Sequence, residues 1–243
     1  MRNIWVIARR EYKLFFISPV AYAVAFLIFL ILGIIFYANV VAAIAQQYAP
    51  TVQIVVAPLV TLLLFTCPAI TMRSLADEQR MGTMELLLTA PVRDWELVIG
   101  KWLGGFLFAL TLIVITWIFP IILNQLEQPG IDQGMMVTAY LGVVLMVAAF
   151  LAIGVAVSSF FSNQIAVFFV TLVIFLALWM ISYPAQAMGS TGGDLLRALD
   201  MSEHFYNTFY TGIIDLKDVV YYLSVTVFGL VISTVSVESR RWR

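Results

Sequence analysis

The chain has 243 residues, 63% of them hydrophobic and 11% charged, where soluble domains run at roughly half apolar and about a quarter charged. That imbalance excludes an ordinary soluble globular domain. Thirteen basic and 14 acidic residues give a formal net charge of −1, which excludes the basic excess of a nucleic-acid binder.

An ionised side chain near a bilayer centre is costly, so the gaps between charges locate membrane spans. Four long charge-free runs occur: 59 residues from 14 to 72, 25 from 102 to 126, 61 from 133 to 193 and 19 from 219 to 237. A spanning helix needs roughly 20 residues. The first and third runs are too long for one helix and carry turn residues near their middles. Six transmembrane helices are therefore expected, in one all-α polytopic domain over residues 1–243.

In chain order, residues 1–18 mix Arg2, Arg9, Arg10, Glu11 and Lys13 with Trp5, Tyr12, Phe15 and Phe16, as in a basic helix lying along a membrane surface. The first span is expected over Pro19 to Val40. It is too long for a cleaved signal segment, whose apolar core is roughly 7 to 15 residues. After the break Gln46 to Pro50, the second span runs from Gln53 to Met72. Pro58 and Pro68 lie inside it and predict a bend.

Residues 73–96 form a charged loop in which Asp77 and Glu78 stand where a helix starts. Met81, Met84, Leu87 and Leu88 recur there at helical spacing, and Pro91 stops them. Such a short amphipathic helix either rests on lipid or docks into a groove of a soluble partner. The third span, Leu97 to Phe119, opens with Gly100 and Gly104, a small-residue pair suited to close helix packing. A connector from Pro120 to Val137 follows. The fourth span covers Thr138 to Ser158, with a second small-residue stripe at Ala148, Ala152 and Ala156. A polar break from Ser158 to Gln164 precedes the fifth span, Gln164 to Tyr183. Residues 184–218 make a long loop with short aromatic helices, and Val219 to Val237 is the sixth span.

Eleven of the 13 basic residues fall at the two ends and in the loop from Arg73, leaving Arg197 and Lys217 on the opposite side. The positive-inside rule then places both termini and that loop in the cytoplasm. With acids divided seven and seven, the inner face carries about +4 and the outer about −5.

Chemistry is scarce. His204 is the only histidine, and with Asp200 and Glu203 it makes a weak metal-ligand set; a hydrogen-bonded loop histidine is the expectation. Cys67 lies in an apolar run without the partners of a disulfide or metal cluster. No P-loop, G-x-S-x-G or G-x-G-x-x-G is present. The expected spans hold no Asp, Glu, Arg or His, and Lys101 near the start of the third is their one charge. Uphill transport by this chain would need energy from outside it.

The loop E-Q-R-M-G-T-M-E-L-L-L-T-A-P-V, Glu78 to Val92, followed by W-E-L-V-I-G-K, Trp95 to Lys101, resembles the signature cytoplasmic loop of ABC-2 type transporter permeases. That family's pattern is roughly E-x-E/Q-R-G-T-x-E-x-L-L-x-x-P-V, then E-I/L-V-x-G-K. The segment Arg9 to Pro19 is similar to the family's entry segment. His204 to Tyr222 and the final Glu238 to Arg241 resemble the short gliding-motility-associated permeases. This chain departs from the common pattern by inserting Met81 between Arg80 and Gly82, which turns Glu78 by about 100° relative to a helix that follows.

The resemblance implies a half-transporter in the plasma membrane without a nucleotide-binding domain or catalytic residues. It implies cytoplasmic ATPase subunits that carry ATP and magnesium, a second permease chain and, in some relatives, an extracytoplasmic auxiliary protein. It also implies a coupling segment formed by Glu78, Gly82, Thr83, Glu85, Leu86, Leu87, Leu88, Pro91 and Val92. A mechanical or assembly subunit driven by the same ATPases, or an ATP-independent carrier, are the alternatives.

Overall fold

Ser18 and Pro19 divide the first two helices. Ser18 is extended (φ −80°, ψ 122°), so α1 (Arg2–Ile17) ends there and Pro19 opens α2 (Pro19–Gln46) at the position where its missing N–H is not needed. The computed structural model describes residues 2–82, 92–127, 130–183 and 190–241. Among these residues the protein is helical, without a strand. The first expected span outlasts its predicted end at Val40 by six residues. It stops where Gln47 turns left-handed (φ 53°) and donates its N–H to the Ala43 carbonyl. Only the stripe Ala21, Ile28, Leu32, Phe36 and Ala43 of α2 is buried, while Phe26 and Tyr37 on its other faces are 63% and 71% exposed. An apolar helix with one buried stripe suits a lipid environment.

The helix α3 (Gln53–Thr71) remains helical through Pro58 and Pro68. Thr66 and Thr71 donate their hydroxyls to the Leu62 and Cys67 carbonyls at 2.8 and 3.0 Å. A short helix, α4 (Ala76–Arg80), follows. The expected third span proves to be two pieces, α5 (Asp94–Ile115) and α6 (Ile118–Leu126), separated at Thr116 and Trp117. Pro120 has no N–H to give the Thr116 carbonyl, which accepts instead from the Tyr140 hydroxyl at 3.3 Å, while the Thr116 hydroxyl donates to the Ile113 carbonyl at 2.7 Å. Helix thus extends to Leu126, and the connector expected from Pro120 is shorter than its sequence suggests.

At the centre lies α7 (Gln133–Phe160), begun by Asp132, whose carboxylate accepts the Met135 N–H at 3.1 Å. Its residues from Val147 to Ala152 are buried, and α3, α5, α8 (Gln164–Met180) and α11 (Leu216–Arg241) pack around it. Bare Gly229 of α11 sits against Ala152, where a Cβ would come within 2.8 Å of backbone carbon. The small-residue stripe meets its partner helix there. Between α8 and α11 lie α9 (Ser190–Arg197), α10 (Met201–Tyr206) and a 3-10 turn (Phe209–Thr211). Asp200 caps α10 by accepting from Ser202 and Glu203 N–H, and ties it to α8 by accepting the Ser182 N–H at 2.9 Å.

Among the described residues, five stretches, those containing α2, α3, α5, α7 and α11, are long and apolar enough to cross a membrane. The fifth expected span, α8, is apolar but has 17 residues.

Candidate functional site

The charged loop begins with α4, and a distant hydroxyl sets where. Ser158 Oγ, near the end of α7, accepts the N–H groups of Leu75 and Ala76, both at 3.0 Å. Those donors open a helix and otherwise lack partners. Gln79 adds a bond to the Ser159 carbonyl at 2.9 Å. The helix closes at Met81, whose N–H donates to Asp77 at 2.9 Å, and Gly82 takes φ +70°.

Asp77 and Glu78 stand in the first turn of this five-residue helix, and Gly82 supplies the left-handed exit after it. Met84, Leu87 and Leu88, expected to continue the helical spacing, lie outside the described residues.

On the far side of the loop, Arg93 is extended and α5 begins at Asp94. Glu96 accepts the Arg93 N–H at 3.2 Å and the Asn3 amide of α1 at 3.1 Å. Next along α5, Gly100 and Gly104 face α1. A Cβ on Gly100 would stand 2.8 Å from Ile7 side-chain carbons, and one on Gly104 would stand 2.5 Å from Glu11 Cβ. Lacking side chains there, α5 lets the backbone of α1 come close.

This approach delivers Glu11 to Lys101. The Lys101 ammonium lies 3.2 Å from Glu11 Oε1 and 2.8 Å from Glu78 Oε1, and it donates to the Ser74 carbonyl at 2.7 Å. Its three hydrogens thus meet three acceptors. The side chains are 3%, 16% and 12% exposed for Lys101, Glu11 and Glu78. A desolvated cation is tolerated only when paired and hydrogen-bonded in this way. The triad fastens α1, α4 and α5 at one point.

Of the residues expected to form the coupling segment, Glu78 lies within α4, Gly82 just past its end, and half-buried Val92 just before α5. Thr83, Glu85, Leu86, Leu87, Leu88 and Pro91 lie outside the described residues. Glu11, Ser74 and Ser158 were not singled out in the sequence. The signal for Glu11 was present, since a lysine seven residues into an apolar helix needs acidic partners; Ser158 gave none beyond its place in a polar break.

His204 is hydrogen-bonded within its loop region. Nδ1 lies 2.6 Å from Asp218 Oδ1, Nε2 lies 3.2 Å from the Ala198 carbonyl, and the ring stacks on Tyr221 at 3.9 Å. A carbonyl only accepts, so Nε2 carries a hydrogen. Among the described residues no group of three His, Cys, Asp or Glu side chains is placed to hold a metal ion.

Comparison with curated proteins gave no match. The family model described as ABC-2 family transporter protein matches residues 44–211. That match covers more than half of the chain and includes α3, α4, the loop after Gly82, α5 and α7. On it, and on apolar helices arranged around α7, this chain belongs to the ABC-2 family of transporter proteins.

Proposed function

We propose that this chain is the permease subunit of an ATP-binding cassette exporter, driven by separate cytoplasmic ATPase subunits that hold ATP and magnesium. The segment from Glu78 to Val92 is their docking site, with Glu78, Gly82, Thr83, Glu85, Leu86 to Leu88, Pro91 and Val92 as the contacting positions. A second permease chain completes the transporter in the plasma membrane. The helix α8, the fifth span in chain order, completes a set of six, and the basic excess indicates that both termini are cytoplasmic. The chain stands with the short gliding-motility-associated permeases, for which an extracytoplasmic auxiliary protein is a further partner.

The observation that carries this reading is the triad. The helix leading into the docking segment is pinned by Lys101 to α5 and by Glu11 to α1. ATP can bias two states only if their contacts differ in energy. Movement of the ATPases pulls on α4, and the buried ion pairs pass that movement to α5, which contacts α7 and α11.

The test is purification from the native membrane in mild detergent, with mass identification of what accompanies the chain and an ATP hydrolysis assay. A P-loop ATPase is expected in the wild type and absent from the Gly82→Pro/Glu85→Lys double variant. Recovery of an intact permease oligomer without any ATPase would overturn the proposal and favour a lipid-surface role for the loop.

A further inference from the structure

Beside the triad is a cavity of about 520 Å³, bounded by α1, the start of α2, the end of α3, α4, α5 and α7. This volume is within the roughly 300–1,000 Å³ of ligand pockets. Its deep wall is apolar, from Leu14, Phe15, Val24, Ile70, Phe108 and Leu151. Its charges are unequally engaged. Glu11 and Glu78 are occupied by Lys101, and Asp77 accepts a hydrogen bond from Gln164. Arg10 and Arg73 are exposed at the cavity and, among the described residues, have no carboxylate within 4 Å. The Arg73 guanidinium donates to Ser18 Oγ at 3.2 Å. Arg73 follows the end of α3 and bonds Ser18 at the start of α2, a place at the level of lipid headgroups where these helices span the bilayer, and Arg10 of α1 lines the same cavity.

We propose that this cavity binds one anionic phospholipid, with its phosphate at Arg10 and Arg73 and an acyl chain against the apolar wall. Apolar depth, two exposed cations at the mouth that are in no ion pair among the described residues and a place at the end of two spans together select an amphiphile over a soluble anion. The bound lipid touches α1, α3, α4 and α5, so it stiffens the same junction that the triad fastens. The proposal rests on the membrane-spanning part of the functional reading and is independent of ATPase coupling.

The test uses the full chain, with any subunits that accompany it, in detergent supplemented with phosphatidylglycerol or phosphatidylcholine, and counts bound lipid by native mass spectrometry. The wild type retains one phosphatidylglycerol in preference to phosphatidylcholine. Arg73→Gln, an exposed change that spares the fold, weakens retention about fivefold, the equivalent of ~1 kcal/mol per basic side chain near an anionic surface. The double variant Arg10→Gln/Arg73→Gln loses about 25-fold on the same basis. Val24→Trp lowers occupancy by either lipid. Equal retention of both lipids by the wild type would mean annular binding and overturn the proposal, as would unchanged retention in Arg73→Gln and Val24→Trp. Displacement of the lipid by millimolar glycerol phosphate would reassign the site to a soluble anion. Recovery of the ATPase is scored separately, so loss of lipid selectivity and loss of the partner are distinct results.

Discussion

Replacing Lys101 with methionine removes one charge and keeps much of the side-chain volume. It leaves Glu11 and Glu78 facing each other at 16% and 12% exposure, and the Ser74 carbonyl without its donor. Removing one partner of a buried ion pair costs about 3–5 kcal/mol. The residual exposure of both carboxylates places this case near the lower end, at about 3 kcal/mol. At roughly 2–4 °C per kcal/mol for a chain of this size, the midpoint of thermal unfolding in detergent falls by about 6–12 °C. The triple variant Lys101→Met/Glu11→Gln/Glu78→Gln carries no uncompensated charge and recovers most of that loss. Lys101→Arg is intermediate, because a planar guanidinium fork fits three converging acceptors less well than an ammonium. A Lys101→Met midpoint within about 2 °C of wild type, or a triple variant no better than the single one, would refute the view that Lys101 is a buried, paired cation.

Other substitutions probe the same region and its opposite end. Ser158→Ala leaves the Leu75 and Ala76 N–H groups without their cap. It lowers stability by about 1–2 kcal/mol, and faster hydrogen exchange at those two amides reports it. Gly104→Ala sets a Cβ 2.5 Å from Glu11 Cβ, costing about 1–3 kcal/mol and making α1 more accessible to limited proteolysis. Glu85→Lys abolishes ATP hydrolysis coupled to function while the helical content by circular dichroism stays at the wild-type value. Asp218→Ala removes the partner of the buried His204 Nδ1 and lowers stability by about 1–3 kcal/mol, visible in the unfolding midpoint.

Charge spacing made most helices legible, because water and lipid impose the pattern directly. The breaks at Gln46 to Pro50 and at Asn163 were also visible, since each carries local chemistry: Gln47 turns left-handed, and the Asn163 carboxamide caps α8 by accepting the Ile165 N–H at 2.9 Å. The break at Thr116 was half visible, since Pro120 lacks the N–H that the Thr116 carbonyl would accept, but the Tyr140 hydroxyl that replaces it comes from another helix. Gly82 announced the end of α4, but its start was hidden, because the hydroxyl that caps Leu75 and Ala76 belongs to Ser158, more than 80 positions away. Gly100 and Gly104 were visible as a small-residue pair, yet nothing local says that α1 lies against them. The triad was the largest omission. Lys101 was noticed as an isolated charge, but its partners come from two other segments, and only the folded chain brings Glu11 and Glu78 to it.

The account turns on an ATPase docking at the segment between α4 and α5, and site-specific photo-crosslinking in native membranes tests that most directly. A photoreactive residue at Val92, just before α5, is compared with one at Glu127, just after α6. The account predicts a crosslink to a P-loop ATPase from Val92, with a yield that changes when ATP is added, and none from Glu127. No ATPase adduct at Val92, or equal adducts from both positions, would contradict it.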